Sequence, residues 1–347
     1  SWNVGGTLAN EALVLAAYMD ARGLDVMFIS DSGHVDLLAV RKALFPRQVY
    51  ATVPGPRSCA IILSPDLHKV GEPLVDPSGG ALAVDLLAPG RQEGANKVVR
   101  MISVYQPPGL DGVATRRWQD SPLVGDLRDV PVSGTLSGPL LRAEAHRVRT
   151  VVRDWSRAPG VKLTVCSGDL NETVNGPVDR LVGPSGVRRG QQLFGCIHHM
   201  LLVDGFSDLY GDLHPVREDS GTDGPSLGHT MYGNHTTGSS RLQYVMVHPR
   251  PDYDSVGRIY CHPDDGLFLS EGRDPEFGHR PLLFGLPAGL LRKGRPGSAP
   301  KRWMNASVRL ADLSDLQVSA LFTSVSQAVL PLQEGWCASL DGAEVSC

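Results

Sequence analysis

The sequence predicts an α/β chain built as a four-layer α/β/β/α sandwich, two mixed sheets packed face to face with helices outside. Three observations carry this. Segments of helical and of strand periodicity alternate in each half of the chain. The 347 residues include 39 Gly and 26 Pro, which suits many strands joined by turns and long loops. No internal repeat is short enough to build a solenoid. A chain of this length makes one large or two ordinary domains with a substantial core.

Taken in order, Ser1-Trp2-Asn3-Val4 predicts a first strand with Asn3 at its end. Thr7 is an N-cap, and Leu8, Ala12, Leu15 and Met19 follow at helical spacing until Gly23 stops the helix. Leu24 to Ile29 is a buried strand delivering Asp31 just past its end, and a short helix runs from Val35 to Leu44. Ser58 to Ser64 and Ala81 to Leu87 are strands separated by a Pro/Gly-bearing loop, and Val98 to Tyr105 is the next strand. The stretch from Gln106 to Gly138 is punctuated as loop. Pro139 then opens a helix in which Leu141, Ala145, Val148, Val152 and Trp155 form one apolar stripe. Later come a helix over Gln191 to Leu202, a polar loop from Arg217 to Gly228, a strand from Ser239 to Val247 and another over Phe277 to Leu283.

Composition narrows the possibilities. The net charge of −4 argues against an indiscriminate nucleic-acid binder, because phosphate contacts come from Lys and Arg. Any such contact must be local, through Arg241 and Arg280, while Arg188 and Arg189 suit a solvated surface. No apolar run spans a bilayer and no signal peptide is visible. Six cysteines in a chain this long do not form a disulfide framework, and Cys196, His198, His199, Cys261 and His262 lack the paired spacing of a structural zinc module. Sequons at Asn171, Asn234 and Asn305 mean little without a secretory route.

The chemically suggestive stretch is Val165-Cys166-Ser167-Gly168-Asp169-Leu170-Asn171, a β-prone run meeting a Gly-Asp-x-Asn turn. In an extended chain Asp169 and Asn171 project to the same side, where a carboxylate beside a carboxamide can hold a hard cation or position a water. The same residues also make Asx turns that cap strands, and the motif alone leaves both readings open.

The order of Asn3, Asp31, Tyr105, the Asp169/Asn171 pair, the Arg241-Leu242-Gln243-Tyr244 strand and His279 resembles the endonuclease/exonuclease/phosphatase superfamily, the DNase-I-like fold. Within it, the arrangement is most similar to the endonuclease domain of LINE-type (non-LTR) retrotransposons, over Ser1 to Pro287. The resemblance implies a first strand cut short at Ser1, a basic Pro/Gly-rich linker over 288–302, and a helical tail over 303–347 like the segment leading to a reverse transcriptase. It implies a Mg²⁺- or Mn²⁺-dependent nuclease that nicks DNA, with a reverse transcriptase possible in the same polyprotein, a nuclear location, no membrane and no obligate oligomer. It places the metal at Asp31 and Asn3 and gives Asp169 the nucleophilic water. Asn171, Tyr105 and His279 would act on the phosphate, Gln243 would face the imidazole, and Arg241, Arg280 and the Thr230 turn would touch substrate.

Three positions depart from the pattern. Asp31 stands where the family has Glu, Gln243 where it has the His-orienting Asp, and Gly278 where it has the Asp before the His. A slowed nuclease follows from these changes. The alternatives are an inactive DNase-I-like binding module and a superfamily phosphatase acting on a small phosphoester.

Overall fold

Residues Leu8, Leu15 and Met19 of α1 (Leu8–Arg22) are fully buried, and Gly23 ends the helix at φ +60, a conformation that costs a residue without Cβ little. Helix α2 (Leu37–Leu44) is capped by Asp36, whose carboxylate accepts from the Leu38 and Ala39 N–H groups. Both helices lie on the outer face of a sheet ordered β1-β2-β4-β3, made of β1 (Trp2–Asn3), β2 (Val26–Ser30), β3 (Gln48–Ala51) and β4 (Cys59–Leu63). Met27, Ile29, Ala60 and Ile62 meet them there. The computed structural model describes residues 1–5, 8–33, 36–52, 58–88, 98–106, 138–173, 180–181, 196–214, 230–232, 239–251, 259–264 and 278–286. The expected linker and tail, Thr7, Arg188, Arg189, the 217–228 loop and the sequons at Asn234 and Asn305 fall outside them.

The second sheet has six strands in the order β10-β13-β8-β7-β6-β5. They are β5 (Lys69–Val75), β6 (Ala81–Leu87), β7 (Val98–Tyr105), β8 (Val161–Asp169), β10 (Ser207–Asp208) and β13 (Gln243–His248). Only β7 and β8 run parallel in it, joined through α3 (Gly138–Ser156). Alternate residues divide the faces, as strand geometry requires. Val99, Met101, Leu163, Val165, Val245 and Val247 face the first sheet, where Phe28, Ile61 and Leu63 meet them. Ile102, Val104, Cys166, Tyr244 and Met246 face outward onto Val148 and Val152 of α3 and Met200 of α4 (Cys196–Leu202). These three apolar layers make the four-layer sandwich, each fully buried Leu or Ile contributing roughly 1.5–3 kcal/mol.

Smaller pieces complete the chain. Strands β9 (Arg180–Leu181), β11 (Met231–Tyr232), β12 (Ser239–Ser240) and β15 (Gly278–His279) form a sheet ordered β15-β11-β12-β9. Strands β14 (Tyr260–Pro263) and β16 (Leu282–Gly285) pair separately, and α5 (Leu209–Leu213) follows β10.

Several sequence expectations are corrected. Lys69–Val75 is an edge strand rather than loop, its Gly71 and Pro73 tolerated because the edge leaves N–H groups outside the ladder. The expected single strand over Ser239 to Val247 is two, broken at Arg241 and Leu242, because the Thr230 hydroxyl accepts from the N–H groups of Leu242 and Gln243. The run from Phe277 to Leu283 likewise divides between β15 and β16, which belong to different sheets. No helix among the described residues is long and apolar enough to cross a membrane.

Candidate active site

The site forms where the C-terminal ends of β1, β2, β7 and β8 meet. Asn3 is opposite Ser30 in the parallel β1–β2 pair, and Tyr105 and Gln243 flank Asp169 in β7 and β13. Asp169 is the residue the others surround, and it is fully buried (0 % exposed). Asn3 Nδ2 donates to Asp169 Oδ2 at 2.7 Å, and the Asn171 N–H donates to Asp169 Oδ1 at 2.8 Å. His279 Nδ1 lies 3.8 Å from Asp169 Oδ2. At that separation no direct hydrogen bond joins them. Burial lowers the His279 pKa to about 4, so the ring is neutral at pH 7. A neighbouring carboxylate pulls the other way, but a ring sealed from water loses more by charging than this contact returns.

Gly168 is demanded by the same packing. A Cβ there would stand 1.8 Å from the Val104 carbonyl oxygen, a backbone atom that cannot turn aside. Asp31 and Asn171 are the two non-glycine residues of positive φ among the described residues, at +50 and +48. Asp and Asn are the side chains that tolerate this region best, so the backbone fits their identities. The left-handed turn also overturns the expectation that Asp169 and Asn171 project together from an extended strand. Strand β8 ends at Asp169, and Asn171 closes an Asx turn while its Nδ2 donates to the Gln106 carbonyl at 2.6 Å.

The other expected residues have definite places. Tyr105 is buried among the inter-sheet residues. With its amide oriented to satisfy both ends, Gln243 donates to the Ser1 carbonyl and accepts from the Asn3 N–H, each at 3.0 Å. Its carboxamide thus fastens β1 to the second sheet, where a partnership with the imidazole was expected. Arg241 is 4 % exposed, paired with Asp208 at 2.8 Å and stacked by Tyr210 and Tyr244. It is built into the core of this end rather than presented at a surface. Thr230 is fully buried with its hydroxyl capping β13, and its carbonyl accepts from the Arg280 N–H. Gly278 pairs with Tyr232 in β15, one residue before the histidine.

Sequence reading passed over Ser30, Ser32 and Gln106. Ser30 accepts from the Asp169 N–H at 2.9 Å. Ser32 Oγ, Gln106 Nε2 and His279 Nδ1 are buried polar atoms without a hydrogen-bond partner among the described residues. Similar atoms occur elsewhere, at Ser1, Arg149, Thr164, Asp208 and His248, and of the three, His279 Nδ1 is the one with a measured approach to Asp169, at 3.8 Å. Polar residues at the last position of a buried strand, or just beyond it, were the available signal.

The residues expected to hold a metal, Asp31 and Asn3, offer a carboxylate and a carboxamide oxygen. The Asn3 Oδ1 accepts from the Gly5 N–H at 2.9 Å, and among the described residues no three His, Cys, Asp or Glu side chains cluster so as to hold a metal. That set suits Mg²⁺ or Mn²⁺, which need one or two carboxylates and complete their shell with water and substrate oxygens. It does not suit structural zinc.

No protein family profile matches the chain, and no curated protein matches it. Solved structures do. An AP endonuclease from Leishmania major aligns at TM-score 0.53 and 17 % identity, over 82 % of this chain and 86 % of its own. An AP endonuclease from Archaeoglobus fulgidus aligns at 0.52 and 12 %, over 82 % and 96 %. A 3′ phosphatase from Neisseria, solved with a product DNA hairpin, aligns at 0.51 and 15 %, over 82 % and 97 %. At these identities the likeness establishes architecture rather than reaction. The chain has the DNase-I-like fold, a four-layer sandwich whose strand ends gather around Asp169.

Proposed function

We propose that this chain is a metal-assisted phosphodiesterase acting on DNA, an endonuclease-like domain of a non-LTR retroelement with slowed catalysis. The observation that carries the reading is the gathering of Asn3, Asn171 and His279 on one buried carboxylate, Asp169. Asp31 and the Asn3 side-chain oxygen would hold Mg²⁺ or Mn²⁺. When bound, the ion supplies Lewis-acid stabilisation of the phosphate and the leaving oxygen. Asp169, its two oxygens fixed by Asn3 and Asn171, orients a water for in-line attack and accepts its proton. His279, neutral and sealed from water, donates a hydrogen bond to a phosphate oxygen from whichever ring nitrogen carries the proton. Tyr105 and Arg280 contribute to phosphate binding. Slowing follows because Gln243, committed to β1, is no acidic partner for the His279 imidazole. The retroelement setting, the reverse-transcriptase partner and the nuclear location rest on the resemblance of the motif order.

The inactive binding module is the second reading, favoured by the same Gln243 substitution and by the lowered pKa of His279. Supercoiled plasmid incubated with the chain and Mg²⁺ or Mn²⁺ separates the two. The expected result is open circles that vanish with Asp169→Ala. Intact supercoils at high protein concentration would overturn the enzyme reading and leave the module.

A further inference from the structure

Ser30 is fully buried at the end of β2, on the first sheet, yet both of its hydroxyl contacts are to the second. It accepts from the Asp169 N–H at 2.9 Å and donates to the Val104 carbonyl at 3.2 Å. Val104 and Asp169 lie on the neighbouring strands β7 and β8, so the hydroxyl completes their ladder from the opposite layer. The strands are already in close approach there, where Gly168 must lack a Cβ. Asn3 is opposite Ser30 in register, and Asp31 follows it in sequence. One hydroxyl is therefore joined to three site residues: Asp169 by hydrogen bond, Asn3 by strand pairing and Asp31 by a peptide bond.

We propose that Ser30 is a positioning residue of the site, tying the Asp169 main chain on one sheet to the strand end carrying Asp31 on the other. This rests on the phosphodiesterase reading. Two sheets packed through apolar side chains can slide by fractions of an ångström, because dispersion contacts have no direction. A hydrogen bond has direction, and it fixes the separation of the two carboxylates that the chemistry uses. Catalytic groups must be held within about 0.5 Å of their working geometry, so this tie acts on rate rather than on substrate binding. Ser103 supplies an internal control. Its hydroxyl also crosses between the sheets, donating to the Ile29 carbonyl at 2.9 Å, one step from the site.

Plasmid cleavage by Ser30→Ala, Ser30→Thr and Ser103→Ala, with melting temperatures for each, provides the test. Ser30→Ala is expected to lower kcat by about 10- to 10²-fold at little change in KM, as small misplacements of reacting groups do. Ser30→Thr keeps the hydroxyl and recovers much of the rate, and Ser103→Ala keeps the rate despite losing an inter-sheet bond. Equal slowing by Ser30→Ala and Ser103→Ala would reduce Ser30 to ordinary packing and overturn the proposal. Amide hydrogen exchange of Asp169 gives a reading independent of turnover, and it decides if Ser30→Thr does not fold. Exchange should quicken in Ser30→Ala beyond any global loss of stability, and not in Ser103→Ala; equal exchange in the two overturns the tie. If the unaltered chain does not cleave, the phosphodiesterase reading fails by itself, while the exchange result still decides whether Ser30 holds Asp169.

Discussion

Two buried aspartates, Asp76 and Asp169, are held in contrasting ways. Asp76, just past β5, receives both terminal nitrogens of Arg147 at 2.7 and 2.9 Å and the Ser78 hydroxyl. Burial pushes its pKa up, but the guanidinium and the hydroxyl outweigh that, and the carboxyl titrates below its usual 3.8. Asp169 is oriented by the Asn3 amide and the Asn171 N–H, with the neutral His279 ring 3.8 Å away. A guanidinium fork cancels the charge it holds. The amide donors on Asp169 aim the carboxylate without themselves cancelling its charge. Asp204 and Asp208 follow the first pattern, paired with Arg149 at 2.6 Å and Arg241 at 2.8 Å. The first pattern holds the fold, and the second is the one the proposed phosphodiesterase would use.

The contrast breaks most clearly under substitution of each side. Asp169→Ala should lower plasmid cleavage by about 10³-fold or more, in a protein that still unfolds cooperatively. Arg147→Ala should do the reverse. It strands the Asp76 carboxylate and costs about 3–5 kcal/mol in urea unfolding, with kcat per folded molecule unchanged. Loss of activity from Arg147→Ala at full stability would end the distinction.

Acid sharpens it. The His279 pKa lies near 4 when folded and 6.5 when free, so the unfolded chain takes the proton first. Stability therefore falls as pH drops below about 6.5 and stops falling from this source below about 4. Between pH 7 and pH 5 the loss should be about 2 kcal/mol. His279→Asn should remove that slope, as read by urea midpoints at several pH values. Asp76 acts lower on the scale. Its depressed pKa contributes stability that is present above 3.8 and lost as pH falls through the folded value, so its acid limb persists in His279→Asn and disappears in Arg147→Ala.

The smallest effect concerns Gln243. Gln243→Ala should cost about 1–3 kcal/mol, since the Asn3 N–H loses its acceptor inside the protein while the Ser1 carbonyl keeps only the Leu282 N–H. Gln243→Asp, which restores the acid of the resembling nucleases, should lower cleavage here, because a shorter carboxylate cannot donate to the Ser1 carbonyl. A gain in rate would show that Gln243 belongs to the histidine after all.

Much of the architecture was legible in the chain itself. The 8-12-15-19 stripe of α1 and the apolar runs of β4, β6, β7 and β8 follow from periodicity and spacing, which are local. Asn3, Asp31, Tyr105, Asp169 and His279 instead stand out through the resemblance of their order to a known superfamily. Edge strands escaped because an edge needs few apolar residues: Lys69–Val75 alternates weakly and carries Gly71 and Pro73. Only the packed layers decided which polar partners the site residues took. Gln243 met β1 instead of the imidazole, Arg241 met Asp208, and Ser30 reached across to Asp169. Hydrogen-bond partners depend on distances of a few tenths of an ångström between segments far apart in sequence. Spacing along the chain determines which face a side chain takes, and what stands opposite that face is decided when the sheets close.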